Sequence, residues 1–343
     1  MMDEIILKDL EDIKSKSYAL EKHFEGRSVL VTGGAGFLGS WICDVLLMMG
    51  SEISCIDNYS SGLAINVEHL QNKAGFKFIN SDVKNVIVNG EFDYIIHLAS
   101  RASPEDYYLH QIDTLLTNSE GTKNMLELAR KNDCTFLYSS TSEIYGDAKV
   151  IPTPEDYWGH VNSVGFRSCY DEGKRYGEAL CIAYKREYNL DLKMVRIFNT
   201  FGPRIRSDGQ YGRALSRFIF QALNDKDITI YGDGLQTRSF CYVTDTIRGI
   251  LMHLTTKSDV DIINLGNNNE ITIKDLAHKI IHKTHSKSRI IHQEQSPDDP
   301  RRRQPDISRA SKIGWRPLVS FENGLEKTIE WIRSNKDIAD KFS

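Results

Sequence analysis

A short apolar run that ends in a cluster of glycines and resumes as a helix constrains this chain more than any other stretch. Val29-Leu30-Val31 reads as a buried strand, Thr32-Gly33-Gly34-Ala35-Gly36-Phe37-Leu38-Gly39 as a turn, and Trp41 to Met49 as a helix. Gly34, Gly36 and Gly39 fit G-x-G-x-x-G, and Gly33, Gly36 and Gly39 fit the related G-x-x-G-x-x-G. In strand, turn, helix order these spacings form a dinucleotide fingerprint, because positions without side chains let backbone amides and the helix N-terminus approach a pyrophosphate. A tight turn with no ligand would also use glycines, so the flanking pattern decides. A second strand, Ile53-Ser54-Cys55-Ile56, ends at Asp57, 18 residues after Gly39. An acidic side chain there accepts hydrogen bonds from the adenosine ribose and repels a 2'-phosphate, which predicts NAD rather than NADP.

The alternation continues. Phe76-Lys77-Phe78-Ile79 is a third strand leading to Asp82, a candidate for the adenine edge or simply a loop cap. Tyr94-Ile95-Ile96-His97-Leu98-Ala99 is a fourth, with the near-continuous apolar character of a parallel strand covered on both faces. A lone His97 inside it is expected to be a satisfied core histidine. Asn118 to Lys131 reads as a helix, and Thr135-Phe136-Leu137-Tyr138 as a strand that runs out into Thr141-Ser142-Glu143. In open parallel sheets ligands collect beyond the carboxyl ends of strands, so these three residues stand where chemistry is done, although Glu143 alone also fits a solvated loop carboxylate.

Residues 28–198 thus predict an α/β fold with a doubly wound parallel sheet. The expected organisation is an N-terminal helical extension over 1–27, an NAD-binding Rossmann-like domain over 28–200, and a smaller C-terminal domain over 201–343 with some segments returning to the sheet. The extension places Ile6, Leu10 and Ile13 at helical spacing, and packing against the body or a second subunit is its expected role. Alongside the fingerprint residues Gly33, Gly36, Phe37, Leu38, Gly39 and Asp57, the strand-end residues Asn58, Asp82, Val83, Leu98 and Ala99 are candidates for cofactor contact.

Composition excludes rather than selects. With 40% hydrophobic and 26% charged residues, 343 residues are enough for one large or two smaller globular domains. The formal net charge of -4 argues against a nucleic-acid binder. No apolar run reaches the roughly 18 residues of a membrane span, and the N-terminus lacks a basic start followed by an apolar core, which together predict a cytoplasmic protein without a membrane partner. Cys43, Cys55, Cys134, Cys169, Cys181 and Cys241 form neither a C-x-x-C pair nor a metal-ligand grouping with histidine, so free thiols and no metal are expected.

Tyr170-Asp171-Glu172-Gly173-Lys174 sets a phenol and an ammonium one helical turn apart. An adjacent cation favours the phenolate, and a base near neutral pH needs a phenol lowered by roughly 3 units, about 4 kcal/mol. Lysine alone seldom supplies that, whereas a cationic nicotinamide ring adds to it. By itself the pair occurs on many surface helices; its weight comes from the rest of the chain.

Together these residues resemble the extended short-chain dehydrogenase/reductases that act on nucleotide sugars, over nearly everything after residue 28. More narrowly, Trp158-Gly159-His160-Val161-Asn162, Cys169 to Arg175, Arg196 to Arg204 and Asp298-Asp299-Pro300 resemble the UDP-glucuronate decarboxylases, also called UDP-xylose synthases. The resemblance implies a UDP-sugar substrate and a homodimer, with oxidation at the sugar C4, Tyr170 as base, and Lys174 holding the nicotinamide ribose. Carbon dioxide then leaves from the C5 carboxylate, C5 is protonated, and the hydride returns, so there is no net redox. It further implies that Thr141 and Ser142 bond around the reacting sugar and that Glu143 does acid/base or orienting work. Arg303 would bind the carboxylate or assist protonation, where a planar guanidinium suits both roles. Without the resemblance, Arg301-Arg302-Arg303 would be a solvated basic run or, distantly, a phosphate patch. Asn199, Arg204, Arg213 and Arg238 match positions that grip UDP, with Tyr231 as a further substrate contact. The dimer would use the Tyr170 helix and the helix near Asn118 to Lys131, with Cys181, Ile182 and Tyr184 either at that interface or in the core.

Two departures bear on the substrate. Arg101 and Leu116 stand where the decarboxylases carry a proline and a lysine, and Arg101 is a candidate for recognising the sugar carboxylate or another substituent. A nucleotide-sugar 4,6-dehydratase shares the 4-keto step but needs an acid at C6, where Ser142 is a poor one. A 4-epimerase has no need of Glu143. A non-catalytic nucleotide-sugar or NAD-binding regulator would not need Tyr170, Lys174 and Glu143 together.

Overall fold

Seven parallel strands form the central sheet of the computed structural model, which describes residues 3–207, 213–294 and 299–335. In chain order the first six are β1 (Ser28–Thr32), β2 (Glu52–Asp57), β3 (Phe76–Asn80), β4 (Tyr94–His97), β5 (Thr135–Thr141) and β6 (Leu192–Ile197). A seventh, Ile262–Leu265, comes from the C-terminal part and pairs with β6. Across the sheet the order is Ile262–Leu265, β6, β5, β4, β1, β2, β3. The order reverses between β4 and β1, which opens a crevice at the carboxyl ends of those strands.

Both faces of the sheet are covered, and the pleat sorts side chains between them. Val29, Val31, Ile96, Leu137 and Val195 join a core with Trp41, Leu46, Ile247 and Ile250 on one side. Leu30, Ile95, Phe136, Tyr138 and Met194 join Met125, Leu126 and Cys181 on the other. Cys181 and Tyr184 are therefore core residues, with the Tyr184 hydroxyl donating to Glu127, and only Ile182 stays half-buried.

The expected N-terminal helix runs Glu4–Lys16, capped by the Asp3 carboxylate on the Ile5 amide. Ile6, Leu10 and Ile13 are buried against the body, each contributing roughly 1.5–3 kcal/mol relative to exposure. Asp9, 1% exposed, accepts from the Tyr242 hydroxyl and pairs with Lys327, tying the helix to the C-terminal Phe321–Ser334 helix. The second strand matches its expected place, but several boundaries differ: the helix after the glycine turn begins at Phe37 rather than Trp41, and the fourth strand ends at His97 rather than Ala99. Strand β5 runs to Thr141, so its continuous burial extends the backbone into the site. The helix expected from Asn118 starts as a π-type turn, Thr117–Gly121, between the Gln111–Leu116 and Thr122–Asn132 helices.

Candidate active site

The glycine turn is built around two close approaches. Gly33 has φ +69°, and a Cβ there would sit 2.8 Å from the Ala99 nitrogen; a Cβ on Gly39 would sit 2.1 Å from the Gly33 carbonyl oxygen. Gly36 is the N-cap of the Phe37–Met48 helix and supplies no side-chain cap, so the first amides of that helix face the crevice without a competing ligand from the cap residue. At the end of β2 the Asp57 carboxylate accepts from the Ala35 amide at 3.0 Å and the Tyr59 amide at 2.8 Å. Burial pushes its pKa up against those two bonds. A Cβ on Gly62 would press on both Asp57 oxygens, at 2.8 and 2.9 Å, so the loop after β2 is shaped to that carboxylate.

One cleft gathers Gly33, Gly36, Phe37, Leu38, Gly39, Asp57, Asn58, Asp82, Val83, Leu98 and Ala99 with Thr141, Ser142, Glu143, Tyr170 and Lys174. Asn58 donates to Asp82 at 3.1 Å, which fixes both beside the turn. This set fits NAD: a side-chain-free cradle with helix amides for the pyrophosphate, and an acidic acceptor for the ribose. His97 is a core residue, bonded to Thr32 at 2.7 Å and Thr122 at 3.1 Å, with its pKa pushed down to about 3 by burial and the nearby Lys174.

Tyr170 and Lys174 project from the Ser168–Tyr188 helix into the cleft. Lys174 donates to the Ser139 carbonyl at 2.9 Å and lies 5.0 Å from the centre of the Tyr138 ring. Burial pushes its pKa down to about 7. For Tyr170 burial pushes the phenol up to about 12, opposed by the Arg213 guanidinium and the Thr141 hydroxyl. Lys174 is not among the main influences on the phenol. Its ammonium is directed at a β5 carbonyl, and the protein alone keeps Tyr170 protonated at neutral pH.

Glu143 is the second residue of the short turn Ser142–Tyr145 after β5, where the Thr141 hydroxyl accepts from the Glu143 amide at 3.3 Å. Its carboxylate is gripped by Arg303, with Nη2 to Oε2 at 2.6 Å and Nη1 on Oε1, and by Arg167 on Oε2. Burial alone would raise this carboxyl; Arg167, Arg303 and Arg213 override it and hold the group far below the ordinary range. Sequence reasoning missed Arg167. The available signal was its position one turn before Asp171, which it approaches at 3.7 Å. A second layer supports the turn: Glu178 accepts from Ser140 and, at 2.7 and 2.9 Å, from Arg196, which also donates to the Tyr145 hydroxyl at 2.9 Å.

Not every expected substrate contact reaches the cleft. Asn199 and Arg213 line it. Arg204 lines it too, but its guanidinium pairs with the buried Asp44 at 2.6 Å over the Trp41 ring, so its charge is already matched. Arg238 donates to both oxygens of Asp299 at 2.9 and 3.0 Å, and Tyr231 lies under the Arg217 guanidinium at 4.9 Å; neither is in the described cleft wall. Asp298 lies outside the described residues. Arg101 lines the cleft, with Nε on Asp113 at 3.0 Å and Nη1 on Asp106 at 2.6 Å, whereas Leu116 is half-buried and outside it. Among the described residues no group of three or more histidine, cysteine, aspartate or glutamate side chains could hold a metal.

Residues 29–266 match the model of the NAD dependent epimerase/dehydratase family. The chain is 46% identical over 306 residues to UDP-glucuronic acid decarboxylase 1 of Danio rerio, covering 89% of this chain and 72% of that one. It is 43% identical to UDP-glucuronic acid decarboxylase 5 of Arabidopsis thaliana, covering 87% and 86%. Among solved structures, UDP-glucuronic acid 4-epimerase from Bacillus cereus, in complex with UDP-glucuronic acid and NAD, superposes with a TM-score of 0.81 at 30% identity, covering 90% of this chain and 99% of that one.

Proposed function

The chain belongs to the NAD dependent epimerase/dehydratase family, and from that premise we propose that it decarboxylates UDP-glucuronate to UDP-xylose. The glycine turn and helix amides would hold the pyrophosphate of NAD, Asp57 the adenosine ribose, and Tyr170 with Lys174 the nicotinamide ribose. When bound, NAD would supply a hydride acceptor for C4 and the hydride donor for the closing reduction.

With the cationic nicotinamide ring adding to Arg213 and Thr141 in lowering its phenol, Tyr170 would take the proton of the C4 hydroxyl. The ketone so formed lies β to the C5 carboxylate, and loss of carbon dioxide leaves an enolate that the site must stabilise with cations and hydrogen-bond donors. Arg303, Arg167 and Arg213 surround this end of the cleft with positive charge. In this reading Ser142, which lines the cleft beside Glu143, bonds the sugar, Asn199 contacts the nucleotide, and Arg213, near both Glu143 and Tyr170, reaches the diphosphate from the sugar end.

The observation that carries the reading is the bidentate Arg303 grip on Glu143. A dehydratase needs an acid where this chain has Ser142, and the neighbouring Glu143 is held ionised, so neither residue can protonate a leaving C6 hydroxyl. UDP-glucuronate, UDP-glucose and UDP-N-acetylglucosamine incubated separately with the protein and NAD, and followed by mass spectrometry and proton NMR, test it. Loss of 44 mass units (carbon dioxide) from UDP-glucuronate with an anomeric pentose signal is the expected result. Loss of 18 (water) from a neutral sugar would replace it by dehydration, and inversion at C4 without mass change by epimerisation.

A homodimer and a cytoplasmic location complete the proposal. Ile112 and Tyr176, 75% and 50% exposed on two helices that pack together, support a subunit interface there. All six cysteines are unpaired and buried, and among the described residues no helix is long and apolar enough to cross a membrane.

A further inference from the structure

We propose that Arg167 is a positioning residue that acts through Glu143: together with Arg303 it holds that carboxylate as a fixed anion facing the cleft, so that Glu143 accepts hydrogen bonds but neither takes a proton from the sugar nor donates one to it. The chemical consequence rests on the decarboxylase reading; the geometry does not.

Arg167 occupies a place that costs free energy unless it is matched. It is the N-cap of the Ser168–Tyr188 helix, makes no side-chain cap bond, and is only 8% exposed. A buried cation at a helix N-terminus opposes the helix dipole and loses hydration. Glu143 compensates it in direct contact; Asp171 lies 3.7 Å away, but burial and Glu143 push its carboxyl up to about 7. Arg303 reaches the same Glu143 from the loop beyond residue 299. Glu143 lines the cleft and neither arginine does, so both act from outside its wall. Three guanidinium N–H groups thereby satisfy the two oxygens and leave the carboxylate no torsional freedom.

The groups facing this cluster come from every element around it. Arg167 and Asp171 belong to the Tyr170 helix, Arg303 to the C-terminal loop, Arg213 to the segment before the Ala214–Leu223 helix, Tyr107 and Tyr108 to the Pro104–Leu109 helix, and Arg238, paired with Asp299, to the Thr237–Ser239 strand. Positive charge exceeds negative, which favours the ionised form of Glu143 and suits an anionic sugar substituent. An ionised Glu143 cannot protonate a 4-keto oxygen or a departing hydroxyl, so the proton delivered to C5 comes from another donor.

Carbon-13 NMR of the full chain, labelled at the glutamate carboxyls and titrated from pH 3.5 to 8, tests this directly. The Glu143 signal is identified by its loss in Glu143→Gln. In the wild type it stays at the ionised position throughout. In Arg167→Met, or in Arg167→Gln should the methionine variant fold poorly, the pKa rises by roughly 1–3 units and the signal begins to titrate at the acid end; Arg167→Lys restores the flat response. In parallel, the acid limb of kcat on UDP-glucuronate moves to higher pH in Arg167→Met and returns in Arg167→Lys, whereas mere structural damage would lower kcat equally at every pH. A Glu143 signal as flat in the methionine and glutamine variants as in the wild type overturns the role of Arg167. A wild type that releases no carbon dioxide overturns the decarboxylase reading instead, and the NMR titration still decides the arginine.

Discussion

Tyr107 lies flat against Tyr170, with ring centroids 5.2 Å apart and planes within 3° of parallel. The two residues are 1% and 4% exposed, so the Tyr107 ring is part of the wall that keeps water from the phenol. Its own hydroxyl has no hydrogen-bond partner among the described residues. Tyr107→Phe keeps the stack and removes a buried, unpartnered polar atom. Stability is expected to be unchanged or higher by up to about 1 kcal/mol, with kcat close to wild type. Tyr107→Ala opens a void and should cost about 3–5 kcal/mol in urea unfolding, with a lower kcat because Tyr170 loses its support. If the phenylalanine variant proves as damaged as the alanine variant, the hydroxyl and not the ring is what matters.

Lys174 gives stability a definite dependence on pH. Burial lowers its folded pKa to about 7, below the unfolded value near 10.4. Between these values the unfolded chain binds a proton that the folded chain lacks, so stability rises with pH across the window and is lost as pH falls toward 7. Lys174→Met removes the dependence as well as the activity. Measured by urea unfolding, the methionine variant should be the more stable at pH 7, with an advantage that shrinks by roughly 1.4 kcal/mol for each pH unit up to about 10. A constant difference would mean that the folded chain keeps Lys174 charged.

Gly39 offers the sharpest test of the cofactor cradle. A Cβ there would overlap the Gly33 carbonyl at 2.1 Å and crowd the Gly34 Cα at 2.7 Å, both backbone atoms with nowhere to retreat. Gly39→Ala is expected to displace the turn from the helix N-terminus and weaken NAD binding at least tenfold, about 1.4 kcal/mol, by calorimetry. Gly26→Ala is the control at another turn, since nothing lies within 4 Å of its Cβ, although its φ of +68° costs some stability. Equal NAD affinity in the two variants would remove the glycine turn from the binding site.

How far the sequence was legible follows from what kind of interaction holds each part. The sheet was readable because β1, β2 and β4 are short apolar runs whose pairing needs only local pattern and crossover rules. The cofactor cradle was readable because a missing side chain is itself visible in a sequence. Side-chain partners were not. Arg204 and Arg238 were expected to grip the substrate, but whether a guanidinium is free depends on Asp44 and Asp299, which lie 160 and 61 residues away along the chain. Arg167 went unnoticed for the same reason, since its partner Glu143 comes from another element. The Tyr170 and Lys174 spacing put both on one helix, whereas the bond from the lysine to the Ser139 carbonyl was not visible in it.

Arg101 carries the last prediction, since it departs from the decarboxylase pattern at the cleft wall. Its Nη1 meets Asp106 at 2.6 Å and the Ser60 carbonyl at 3.2 Å, and its Nε meets Asp113 at 3.0 Å. The guanidinium charge is therefore already matched by two carboxylates, which weakens its attraction for the carboxylate of a sugar. Burial pushes the Asp106 pKa up, and Arg101 is the largest influence opposing it. In Arg101→Ala that carboxylate is stranded, with the Asp106 side chain 1% exposed. Because Asp113 remains partly hydrated, the loss should fall near the lower end of the buried-pair range, about 3 kcal/mol. A further rise in the folded pKa of Asp106 means that the penalty grows as pH climbs through and above the unfolded value near 3.9, and is smallest in acid. Adding Asp106→Asn should recover part of the stability at pH 7. The KM for UDP-glucuronate should change by less than about threefold, under 1 kcal/mol. A tenfold rise in KM at unchanged stability would instead make Arg101 the residue that reads the sugar.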